Sequence, residues 1–286
     1  MSSVKITNLF SRYYFDGQGK AVRPVIAMTV GHAYNIHCGV PENSKVYGDQ
    51  RKVSIISEMI HTASLVHDDI LDKAETRRGK ESINRKWDAC KSTYAGDYIL
   101  AVGAKILAQI RDEEVLIVLS QVLADLVQGE FQQLKSEQDS QKRLDLYKAK
   151  TFNKTASLIA YSCKANALLS SKMLPANEAN LNAEAAFQYG KNVGIAFQLV
   201  DDLLDFVASS EQLGKPAAAD LKLGLATAPV LYATEKYPEL EEMIARRFSQ
   251  PGDVEKAFEC VSYQKRSFRS KLNYLCLLFR FYKVMD

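Results

Sequence analysis

The chain has 286 residues, 47% of them hydrophobic, enough to bury a sizeable core in one large domain or two small ones. Its 14 glycines and 7 prolines are below average usage and helix formers dominate, which favours an all-α fold. A net charge of +3, with basic residues scattered except over about the last 25 and no aromatic-interleaved basic stripe, argues against a nucleic-acid partner.

In chain order, residues 4–15 predict a short helix closed by the Asp16–Gly17–Gln18–Gly19 turn. Pro24 is acceptable in the first turn of a helix running to about Cys38, and residues 41–48 read as loop. A long helix follows over about 49–71, then a polar loop over 73–82. The next helix, over 87–110, carries Ala89, Ala95, Gly96, Ala101, Gly103 and Ala104, small enough to admit a close neighbour. A further helix covers 113–136. Its run VLIVLSQVLADLV is interrupted by Ser120, Gln121 and Asp125, too polar to span a membrane, and reads as a core helix. Residues 144–172 predict a helix kinked near Lys150, and 180–207 another, broken by Gly214–Lys215–Pro216. Shorter helices are predicted over 227–236 and 239–248. No strand-like alternation appears, so the economical reading is one all-α bundle of ten or more helices around a central cavity.

The chemistry concentrates in SEMIHTASLVHDDILDKAETRRGK, residues 57–80. On a helix Asp68 and Asp72 share a face, with Asp69 beside them. Two unit charges roughly 6 Å apart repel by about 3 kcal/mol at an effective dielectric of 20, so the arrangement calls for a cation. Carboxylates without cysteine or paired histidine favour a hard ion; Mg²⁺ keeps waters and takes phosphate oxygens as its remaining ligands. Arg77 and Arg78 suit the same ligand, because guanidinium forks match phosphate. The pattern recurs in FQLVDDLLDF as Asp201, Asp202 and Asp205. Facing one another across a bundle, the two copies would bracket a diphosphate through Mg²⁺. His61, two helical turns before Asp68, can point toward the same place. His32, His37 and His67 read as structural.

With these paired aspartate motifs, the chain resembles the trans-isoprenyl diphosphate synthases from about Tyr13 to about Glu259. Within them it is most similar to the catalytic subunits of long-chain (solanesyl or decaprenyl) polyprenyl synthases that make the ubiquinone tail. The resemblance implies an isoprenoid-synthase bundle that joins isopentenyl diphosphate to an allylic diphosphate, with Mg²⁺ on the six aspartates. It implies that Lys20, Arg23, His61 and Arg78 clamp isopentenyl diphosphate, and that Arg77 contacts the allylic diphosphate. Lys154, Thr155 and Gln198 would line the reaction centre, with Lys154 and Lys215 on the departing diphosphate. Many relatives carry a further lysine where this chain has Leu225, near Lys222. Ala63 and Ser64, just over one turn below Asp68, stand where bulky aromatics stop the tail in short-chain relatives. Small residues there predict a long product, with Ile60 and Ile56 further down the wall.

The resemblance also implies a dimer or a hetero-oligomer with a second synthase subunit, and a mitochondrial location. MSSVKITNLF itself shows neither a signal-peptide layout nor an Arg-rich presequence. Cys38, Cys90, Cys163, Cys260 and Cys276 are widely spaced without C-x-x-C, which predicts free thiols in a reducing compartment. Residues 260–286 depart from the family and read as a divergent tail after a synthase domain over 1–259. Two rival functions follow from the same motifs. A class I terpene cyclase would need no isopentenyl pocket, and a non-catalytic or truncated partner subunit would need no intact motifs.

Overall fold

A computed structural model describes residues 13–15, 19–77, 79–134, 139–207 and 218–263. Most of the expected helix over 4–15, Arg78, Lys215 and most of the tail lie outside the described residues, and residues 13–15 form a turn rather than helix. The helices are α1 (Val22–His37), α2 (Lys45–Leu71), α3 (Ile83–Lys86), α4 (Ala89–Ala108), α5 (Glu113–Leu134) and α6 (Ser140–Thr151). After a π-helical turn (Phe152–Ala156) come α7 (Ser157–Ser170), α8 (Ala176–Val207), α9 (Ala219–Lys222), α10 (Ala228–Ala233) and α11 (Leu240–Ala245). Residues 253–263 form α12. The all-α class is as expected, with one correction. Thr76–Arg77 (β1) and Lys80–Glu81 (β2) pair antiparallel, a hairpin too short to show alternation in sequence.

Helix boundaries follow local chemistry. Helix α2 starts four residues before the expected position because the Ser44 hydroxyl accepts from the Val46 N–H at 3.3 Å and caps it. It ends where Lys73 adopts a left-handed conformation, φ 51°. Helix α8 begins at Ala176, directly after Pro175. The expected kink near Lys150 is the π turn, which divides the long helix predicted over 144–172.

The chain divides into two compact units. One contains the described parts of 1–126 with 157–191, the other those of 127–156 with 192–286. In the first, an apolar cluster gathers Val53, Ile56 and Ile60 of α2 with Leu107, Val115, Leu119, Val122, Leu158 and Leu168. Beside it a buried amide network ties three helices together. Gln50 Nε2 donates to Asn35 Oδ1 at 3.0 Å, to Ser170 Oγ at 2.8 Å and to the Asn166 carbonyl at 3.1 Å. A side chain on Gly96 of α4 would collide with the His67 ring, so the small residues of α4 do admit a close neighbour there. Helix α5 is only half a core helix. Val115, Leu119 and Val122 are buried, but Leu116, Ile117, Leu123, Val127 and Phe131 are exposed. In the second unit, Phe206 stacks on Phe258 at 5.8 Å within a cluster holding Leu221, Val230, Leu240 and Met243.

Candidate functional site

Both aspartate motifs occupy helix C-termini. Asp68 and Asp69 lie in the last turn of α2 with Asp72 as its C-cap; Asp201, Asp202 and Asp205 lie in the last two turns of α8. No basic residue occupies the last turn of either helix. A helix C-terminus carries partial negative charge, so a carboxylate there is disfavoured by about 0.3–1 kcal/mol. Four of the six, Asp68, Asp69, Asp72 and Asp205, lie within the reach of this effect and work against stability. Their use lies in what they bind.

Within each motif the aspartates divide by environment. In the first unit Asp69 is fully buried and held by protein donors. Tyr14 Oη donates to it at 2.8 Å, and Arg77 donates through Nε at 2.8 Å and a terminal nitrogen at 2.5 Å. The same phenol oxygen accepts from the Ile83 N–H at 3.2 Å, fixing the hairpin and α3 against the motif. Burial, reinforced by Asp69, pushes the Tyr14 pKa far up and keeps it a donor. Asp68 is half-buried and Asp72 exposed.

In the second unit Asp202 is the buried counterpart of Asp69. It accepts from Tyr147 Oη at 2.6 Å, from Gln198 Nε2 at 2.8 Å and from the Ala228 N–H at 3.4 Å. Burial pushes its carboxyl above the usual range, and these three donors pull it back. Asp205, also buried, accepts from the Asp220 N–H at 3.2 Å. Asp201 is exposed. The tyrosine stands 55 residues before its aspartate in both motifs. That separation is why neither phenol was evident from sequence.

The π turn carries Lys154 and Thr155. Such widened turns are rare, occur mostly as single-turn bulges within α-helices, and are frequent at functional sites. Thr155 Oγ1 donates to Gln198 Oε1 at 2.7 Å, so Thr155, Gln198, Asp202 and Tyr147 form one hydrogen-bonded chain. Lys154 pairs with Glu130 at 2.7 Å and donates to Gln133 Oε1 at 3.2 Å, two α5 positions with no role assigned from sequence. Glycines let the helices close on this turn. A Cβ on Gly194 would stand 2.5 Å from Ala156 Cα, and one on Gly129 3.2 Å from the Lys154 nitrogen.

The structure thus brings Asp69 to Arg77, and Thr155 and Gln198 to Asp202. Lys20 is exposed ahead of α1, Arg23 is half-buried in its first turn, and His61 is half-buried on α2. Ala63 is fully buried, while the Ser64 hydroxyl donates to the His61 carbonyl at 2.9 Å. Leu225 lines a groove with Tyr147 and Lys150. Among the described residues no three His, Cys, Asp or Glu side chains converge as a ready metal-holding group. The donor chemistry nevertheless fits Mg²⁺, an ion that binds through one or two carboxylates while its waters and ligand oxygens complete the shell.

Comparison with known proteins gives a consistent family. The chain is 52% identical over 252 residues to the All trans-polyprenyl-diphosphate synthase PDSS1 of Homo sapiens, covering 88% of this chain and 59% of that protein. It is 47% identical over 222 residues to a probable mitochondrial hexaprenyl pyrophosphate synthase of Yarrowia lipolytica, covering 76% and 48%. The chain therefore spans about half to three-fifths of the length of these relatives. Among solved structures, the polyprenyl synthase of Caulobacter crescentus, complexed with calcium and isoprenyl diphosphate, superposes with a TM-score of 0.79 at 27% identity, covering 96% and 81%. Residues 4–261 match the model of the Polyprenyl synthetase family, and the chain belongs to that family.

Proposed function

We propose that the chain acts in all-trans polyprenyl diphosphate synthesis, condensing isopentenyl diphosphate head to tail onto an allylic diphosphate. The observation that carries this reading is the repeated division of labour among the aspartates. In each motif the middle carboxylate is buried and bound by a tyrosine, while Asp68, Asp72 and Asp201 keep solvent access. We assign Asp68, Asp72 and Asp201 to Mg²⁺, with Asp69, Asp202 and Asp205 as their supports. Bound there, Mg²⁺ would neutralise charge developing on the leaving diphosphate. The calcium and isoprenyl diphosphate named for the Caulobacter relative support a divalent ion and this ligand class.

The remaining roles belong to the chain's own side chains. Lys154 and Lys215 bind the departing diphosphate, and Arg77 holds the allylic diphosphate while orienting Asp69. Lys20, Arg23, His61 and Arg78 fix isopentenyl diphosphate so that its double bond attacks the allylic carbocation left once the C–O bond has broken. The Gln198 amide and Thr155 hydroxyl direct oxygen dipoles at the cationic centre, in a site that excludes water. A proton then leaves the carbon beside the new tertiary cation for the released diphosphate, and the new double bond forms between those two carbons. Ala63 and Ser64 leave room for a long tail.

We further assign the product to the ubiquinone side chain and the protein to the mitochondrion, following the resemblance and the location in the Yarrowia relative's name. A second synthase subunit, or a second copy, is the expected partner. Leu116, Leu123, Val127 and Phe131 recur along one face of α5 and stay exposed, as a face covered by a partner would. The deciding experiment supplies Mg²⁺, labelled isopentenyl diphosphate and farnesyl or geranylgeranyl diphosphate, with and without a candidate partner subunit. Long labelled products support the reading. Cyclised allylic substrate without label incorporation would make the chain a terpene cyclase. Activity that appears only through the partner's own aspartates would make it a non-catalytic subunit.

A further inference from the structure

A groove in the second unit is lined by Gln133, Arg143, Tyr147, Lys150 and Arg247, with Leu225 among its apolar wall residues. Most of its neighbouring charge is balanced. Arg143 donates to Glu241 at 2.6 Å, and Lys154 pairs with Glu130 at 2.7 Å. Lys150 differs. It is half-buried and its ammonium lies 5.7 Å from the Tyr147 ring centroid, but no carboxylate among the described residues forms an ion pair with it. It stands four residues before Lys154, where two like charges repel. Burial lowers its pKa, opposed by the more distant Asp202 and assisted by Lys154.

A half-buried ammonium with no ion pair among the described residues, and only the longer-range charges of Asp202, Asp220 and Glu130 to offset it, is costly for the fold alone, and a glutamine would serve packing as well. The donors around it point to an anion. The Gln133 carbonyl oxygen accepts from Lys154, which leaves the NH₂ of that amide to donate. Arg247, on the left-handed backbone (φ 55°) that ends α11, brings a guanidinium to the same wall. Lysine beside guanidinium and amide N–H groups is a phosphate-binding set.

We propose that Lys150 is the centre of an anion site in this groove that takes a diphosphate group, with Gln133 and Arg247 as flanking donors. The identity of the anion rests on the prenyl-transfer reading, in which diphosphate is either carried by the allylic substrate or released as product. The test is calorimetric titration of inorganic diphosphate into the full chain, comparing wild type with K150Q, K150R and K154Q.

The expected result is affinity about tenfold weaker in K150Q, the size of one lost charged hydrogen bond, with most of it restored in K150R. K154Q reports the neighbouring lysine and separates its contribution. Diphosphate binding unchanged in K150Q, or absent in wild type, overturns the proposal. Steady-state kinetics then identify the source. A higher KM for the allylic substrate in K150Q assigns the site to substrate diphosphate, whereas weaker inhibition by added diphosphate alone assigns it to released product. If wild type incorporates no labelled isopentenyl diphosphate yet binds diphosphate through Lys150, the prenyl-transfer reading fails and the site stands.

Discussion

Replacing Tyr147 by Phe removes one atom from the chain of hydrogen bonds around Asp202 and little else. The ring keeps its place against Leu199 and Ala228. What is lost is a 2.6 Å donor to a carboxylate that is 2% exposed and so has no water to replace it. A hydrogen bond to a charged group is worth about 1.5–3 kcal/mol. At roughly 2 °C per kcal/mol for a chain of this size, the melting temperature should fall by about 3–6 °C. The phenol favours the ionised carboxylate, so its contribution is present at high pH. It is lost as pH falls through the folded pKa of Asp202, which burial holds above the ordinary carboxylate value. Thermal melts of wild type and Y147F, metal-free and followed by circular dichroism, should therefore differ at pH 8 and converge in acid. Equal melting temperatures at pH 8, or a gap that widens toward acid, would refute the assignment of Tyr147 as the support of an ionised Asp202.

Asp201→Ala should lower turnover about 10³-fold or more while stability changes by less than about 1 kcal/mol, because this carboxylate is exposed and surface substitutions usually cost little; near-normal incorporation of labelled isopentenyl diphosphate would remove its metal role. Ala63→Phe should shorten the product on reversed-phase chromatography and cost about 1–3 kcal/mol by overpacking a fully buried position. An unchanged product distribution would show that the tail takes another route. Gly194→Ala should force the π turn away from α8, since the new Cβ would meet Ala156 at 2.5 Å. Turnover then falls with Lys154 and Thr155 displaced, and a wild-type rate would dissociate the turn from catalysis.

The parts of this architecture legible in sequence are those written in local spacing. The i, i+4 aspartates and the long α2 and α8 follow from helical periodicity, whereas the expected kink near Lys150, found as the π turn over Phe152–Ala156, does not. The hairpin at Thr76–Glu81 was hidden because two paired residues per strand leave no alternation to read. Helix α5 reads as a core element in sequence because its apolar content is high all round, yet burial falls only on the Val115, Leu119, Val122 side. At the candidate site, Thr155 and Gln198 were recognisable only through family resemblance, and their direct hydrogen bond explains the association. Tyr14 and Tyr147 gave no local signal, since each reaches its aspartate through the fold.

The π turn sets a rule for which changes this segment can absorb. One surplus residue is accommodated between Phe152 and Ala156, so a single deletion there would let the backbone relax into an uninterrupted α-helix. Every residue on one side of the lost position would then swing by about 100° relative to the other. Lys154 and Thr155 would no longer meet Glu130 and Gln198, although no functional side chain had been replaced. Length in this stretch is therefore under tighter constraint than composition, and an engineered library should vary its letters while holding its count.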